Sequence, residues 1–88
     1  MNIHELLNHL IEIEGSDLHL LADCPVTYRL HRALFSPPDS QDLTGEQVSQ
    51  LITPILTKEQ IEYLDINREL DFSFQSHDRN RFRVNVYY

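Results

Sequence analysis

Apolar positions in the first segment recur at helical spacing. Ile3, Leu6, Leu7, Leu10 and Ile11 form one stripe, which predicts a helix over about residues 3–13. Asn2 with Glu5 reads as a capping box, each side chain satisfying a free backbone N–H at the helix start. Gly15 is placed to end this helix, because glycine takes left-handed backbone without steric cost. The period then shortens. Leu18 and Leu20 share one face of a strand, Asp23-Cys24-Pro25 reads as a turn, and Val26, Tyr28 and Leu30 alternate with Thr27, Arg29 and His31. Ala33-Leu34-Phe35 begins a third short strand, with no strong turn signal before it, and Ser36-Pro37-Pro38-Asp39-Ser40 is a loop.

Helical spacing returns in the middle of the chain. Thr44 with Gln47, and Thr57 with Gln60, repeat the capping-box pattern, and Val48, Leu51, Ile52, Ile55, Ile61 and Leu64 supply apolar positions. Pro54 biases Thr53 away from helical geometry, so two short consecutive helices are predicted. The last part reads as a hairpin. Leu70, Phe72 and Phe74 alternate with Asp71, Ser73 and Gln75. A polar loop over residues 76–80 follows, and then Phe82, Val84, Val86 and Tyr88 alternate with Arg81, Arg83, Asn85 and Tyr87. The order α-β-β-(β)-α-α-β-β predicts an α+β domain, an antiparallel or mixed sheet of about five strands with three helices on one side.

Eighty-eight residues leave room for a single domain, over residues 1–88. The formal charge of −7 argues against non-specific nucleic-acid binding, which needs a basic surface. One cysteine, Cys24, excludes an internal disulfide framework and fits a reducing compartment. No stretch approaches the ~20 apolar residues of a membrane span, and residues 1–5 lack the features of a signal peptide, so the expected location is cytoplasmic without membrane insertion. The chain stops on an apolar strand at Tyr87-Tyr88, which reads as a cut through a longer protein.

Candidate chemistry is sparse. Neither glycine precedes the Lys-Ser/Thr pair that a phosphate-cradling loop needs, so the chain is not expected to be an enzyme by itself and no catalytic residue is assigned. His4 and His9 are five apart on the first helix, while His19, His31 and His77 fall in different segments, so no metal site is expected. Asp17 and His19, beside Ser16, superficially suggest a hydrolytic triad. Side chains two apart on a strand stand ~6–7 Å apart, which favours a plain polar strand face. The cationic cluster Arg79, Arg81, Arg83 is more informative. Arg81 and Arg83 project from the face of the last strand opposite Phe82 and Val84. Two readings stand: bidentate contacts to a phosphate or carboxylate, or an ion pair with Asp71 or Glu69 on the neighbouring strand.

Three segments carry a family likeness: Gly15-Ser16-Asp17-Leu18-His19-Leu20, Glu69-Leu70-Asp71-Phe72-Ser73-Phe74, and Arg81-Phe82-Arg83-Val84-Asn85-Val86. In order and spacing they resemble signatures of the PilT-type twitching-motility ATPases, a branch of the type II/IV secretion ATPase superfamily. Two turns depart from the family pattern: Arg29-Leu30-His31-Arg32 lacks its Asp-Gly, and Asp23-Cys24-Pro25 replaces its Gly-x-Pro. The resemblance implies a PAS-like amino-terminal domain joined to a RecA-like ATPase core lying beyond residue 88. It implies hexameric rings in which this domain meets its own core and neighbouring subunits, with pilus base proteins as further partners at the inner face of the cell membrane. It further implies ATP and Mg in the full-length parent, none in this chain, and arginines that approach the phosphates. By motif position these are Arg81 and Arg83, with Arg29 a weaker candidate. The rival readings are a standalone PAS-like module that binds a ligand or partner in a hollow apolar pocket, and a pure interaction domain using Leu34, Phe35 and the helical faces.

Overall fold

The computed structural model describes residues 1–75 and 80–88; most of the predicted polar loop, with His77 and Arg79, lies outside the described residues. The caps set the helices. Asn2 Oδ1 accepts the Glu5 N–H at 2.9 Å and opens α1, Ile3–Glu12. The expected reciprocal bond differs: Glu5 accepts from the Asn2 side-chain amide at 3.3 Å, a donor that threonine caps lack. The two threonine boxes are complete. Thr44 opens α2, Gly45–Ile52, and Thr57 opens α3, Lys58–Asn67, each exchanging bonds with the glutamine three residues on at 2.8–3.1 Å. Between them the chain tightens into a 3-10 turn, Thr53–Ile55. Thr53 keeps helical angles, φ −51 and ψ −40, against the bias expected from Pro54, so the chain tightens there without leaving helical geometry.

The end of α1 corrects one expectation. Glu14, not Gly15, takes the left-handed backbone, at φ 57. The Glu14 N–H then reaches the Ile11 carbonyl and the Gly15 N–H the Leu10 carbonyl, at 3.0 and 2.9 Å, the two bonds of a Schellman cap. Glycine is needed at position 15 for space. A Cβ there would stand 2.5 Å from Leu10 Cδ1 and 3.0 Å from the Arg29 carbonyl oxygen.

Five strands form one mixed sheet in the order β3-β2-β1-β5-β4, where β1 is Asp17–Leu21, β2 Thr27–Leu30, β3 Ala33–Phe35, β4 Glu69–Gln75 and β5 Arg81–Tyr87. The two ends of the chain meet in the middle, where β1 and β5 pair in parallel with Leu18 beside Val84 and Leu20 beside Val86. The other pairings are antiparallel. The α+β class, five strands and three helices are as expected. The third strand is real and is made by the two-residue turn His31-Arg32, both residues at positive φ (48 and 71). That is the backbone of a primed hairpin turn, built without the usual Asn or Gly.

One face of the sheet is covered. Ile3, Leu6, Leu7 and Leu10 of α1, Val48 and Ile52 of α2, and Leu64 of α3 join Leu18, Leu20, Tyr28, Leu70, Phe82, Val84 and Val86 in a single core. Leu18, Leu20, Val48, Ile52, Val84 and Val86 have no exposed surface, so the space between sheet and helices is filled.

Candidate functional site

Strand periodicity sends every second residue to the other face, which no helix among the described residues covers. Register pairs line up Leu34, Arg29, Asp17, Arg83 and Ser73 across all five strands. The adjoining row holds Thr27, His19, Asn85 and Asp71, and the next Tyr87 and Glu69. Arg81 lies opposite Gln75, toward the other end of β5. The expected arrangement of the last strand is thereby present: Phe82 and Val84 enter the core while Arg81 and Arg83 are exposed on the open side.

The three candidate arginines differ in their surroundings. Arg83 grips Asp71 in a fork, Nε to Oδ1 at 3.1 Å and Nη2 to Oδ2 at 2.7 Å. This is the Asp71 ion pair that spacing offered as the alternative to an external anion. Asn85, buried among charged neighbours, turns its amide nitrogen to Asp71 and donates to Oδ1 at 3.0 Å. The Arg83 hydrogen bonds hold the Asp71 carboxyl below its ordinary range, and Asp71 in turn raises the guanidinium. The fork uses Nε and one Nη2 hydrogen, leaving the remaining guanidinium donors outward. Arg29 stands 4.0 Å from Asp17, a loose contact. Arg81 has no ion-pair partner among the described residues.

Asp17 and His19 do not form a catalytic pair. Asp17 turns to Arg29, and His19 Nε2 is sealed off without a hydrogen-bond partner. Burial lowers the His19 pKa, Arg29 and Arg83 push the same way, and Asp17 and Asp71 oppose them. Ser16 serves the backbone, its N–H bonding the Arg29 carbonyl and its carbonyl the Arg83 N–H. Among the described residues no three His, Cys, Asp or Glu side chains converge to hold a metal. No helix among them is long and apolar enough to cross a membrane. Sequence reasoning missed Asn85 as the second hand on Asp71. Its signal was a polar side chain between Val84 and Val86 on a strand.

No protein-family model matches the chain. The type IV pilus retraction ATPase PilT of Pseudomonas aeruginosa is 37% identical over 90 residues, covering 99% of this chain and 25% of the relative. Among solved structures, the pilus retraction motor PilT with bound ADP matches all of this chain with a TM-score of 0.78 at 28% identity. Over its whole length the chain is similar to part of the PilT-type ATPases. A second relative, the type IV pilus ATPase PilU of the same organism, is 26% identical over 88 residues, all of this chain and 23% of its own length. The chain spans about a quarter of each protein it matches, 26% of the solved chain. The likeness carried by the three motifs therefore runs along the whole chain.

Proposed function

We propose that this domain is the non-catalytic amino-terminal part of a hexameric pilus-retraction motor ATPase, presenting arginines to ATP phosphates and forming part of the subunit interface. One observation supports it above the rest: β5 buries Phe82, Val84 and Val86 while Arg81 and Arg83 stand on the sheet face that no helix among the described residues covers. A guanidinium supplied from a separate rigid element stabilises phosphoryl charge during transfer. Arg81 is the leading phosphate contact. Arg83, oriented by Asp71, contributes its outward donors, and Arg29 stands behind them. ATP and Mg bind in the RecA-like core of the parent, which works in the cytoplasm against pilus base proteins.

Purified parent carrying Arg81→Ala tests this. ATP turnover falls by about 10²-fold or more, as for loss of a transition-state charge contact, while the urea midpoint stays near wild type. Unchanged turnover overturns the assignment. The 88-residue chain alone is expected to show no steady ATP hydrolysis.

The rival, a standalone ligand-binding module, requires a hollow beneath the sheet. The fully buried Leu18, Leu20, Val84 and Val86 occupy that space and disfavour it.

A further inference from the structure

Six residues along β5 from Arg81, roughly 20 Å away at strand rise, the open face ends in a groove of about 480 Å³ between α3 and the edge strand β4. Its walls carry Tyr63 from α3 and Tyr87 from β5, 51% and 40% exposed. Its rim carries Glu59, Glu69 and Asp71. Glu59 and Tyr63 are four apart on α3 and share a helix face, and Glu69 pairs directly with Tyr87 across the strands. Glu59 and Glu69 have no ion-pair partner among the described residues. Two half-exposed tyrosine faces thus stand beside carboxylates that no cation of the described residues engages.

We propose that this groove docks an arginine-bearing segment of a partner polypeptide. A guanidinium is planar and weakly hydrated, so it stacks on a tyrosine face while its edge forks a carboxylate; an ammonium does only the second well. The domain already shows both halves of that chemistry. Asp71 takes the Arg83 fork, and the Arg68 guanidinium lies 4.7 Å over the Tyr88 ring. Negative charge at the rim excludes nucleic acid and acidic peptides. The unpaired edge of β4 offers backbone groups to an extended segment carrying the arginine. Asp71 is shared with Arg83, but the groove's free carboxylates and tyrosines do not need the nucleotide reading, because Arg81 lies at the other end of β5.

The test is an amide NMR titration of the 88-residue chain with hexa-arginine and, separately, hexa-lysine, which has the same charge. Shifts are expected at residues 59, 63, 69 and 87, with hexa-arginine binding about three- to fivefold tighter, the worth of one stacking contact. Tyr63→Ala leaves the charge unchanged and is expected to remove that preference, while Tyr63→Phe restores it. Equal affinity for the two peptides, shifts spread evenly over the acidic surface, or an unchanged preference in Tyr63→Ala overturns the proposal. So do groove signals that move with protein concentration alone, which would give the groove to a second copy of the chain.

Discussion

Two groups on the open sheet face, Asp71 and His19, make the domain's stability depend on pH. Asp71 is held by Arg83 and Asn85, and its lowered pKa makes a stability contribution that is complete above the ordinary value of 3.8. That contribution disappears as pH falls through the lower folded value. Asp71→Asn is therefore expected to destabilise the domain at pH 6, with the difference from wild type vanishing in acid; urea melts at several pH values check it. His19 works with the opposite charge. Its pKa is lowered, so the folded domain prefers the neutral ring, and the unfolded chain binds more protons just below pH 6.5. Stability is fully present above pH 6.5 and falls as pH drops through the window beneath it, with Asp17, Asp71, Arg29 and Arg83 as the facing charges. His19→Gln is expected to flatten that part of the profile. The sequence offered the Arg83–Asp71 pair as one of two readings, but not the places of His19 and Asn85 beside it. Arg83 and Asp71 sit on different strands, and their contact is diagonal, since the register partner of Arg83 is Ser73.

Helix starts were legible because capping is local chemistry: Thr44, Thr57 and Asn2 each reach a backbone N–H three residues on. Turns were less so. The β2–β3 turn places His31 and Arg32 at positive φ with no glycine to announce it, which left the third strand without a turn signal. Left-handed backbone costs a residue with a Cβ about 1–2 kcal/mol, part of which glycine returns through the unfolded chain. Arg32→Gly is accordingly expected to stabilise by about 0.5–1 kcal/mol. At the end of α1 the reverse holds. Gly15→Ala forces a methyl against Leu10 and the rigid Arg29 carbonyl, and the overpacking is expected to cost about 1–3 kcal/mol. Denaturant unfolding of both variants measures these effects directly.

At the scale of the molecule, the parallel pairing of β1 with β5 joins the first and last strands, more than sixty residues apart in sequence. No local pattern specifies such a pairing, so the sequence supported an antiparallel or a mixed sheet equally. Pairing them puts one continuous apolar face under the helices and one charged face outside, where Arg29, Arg81 and Arg83 are interleaved with Asp17, Asp71 and Glu69. A chain of net charge −7 thus keeps most of its excess negative charge off that face. The proposed role requires Arg81 to meet a nucleotide in the assembled parent. Arginine modification of the parent by a dicarbonyl reagent, read by mass spectrometry with and without Mg-ATP, tests this most directly, with the exposed turn residue Arg32 as internal control. Mg-ATP is predicted to protect Arg81 severalfold and to leave Arg32 as reactive as before. Arg81 modified equally in both conditions would contradict the proposed contact.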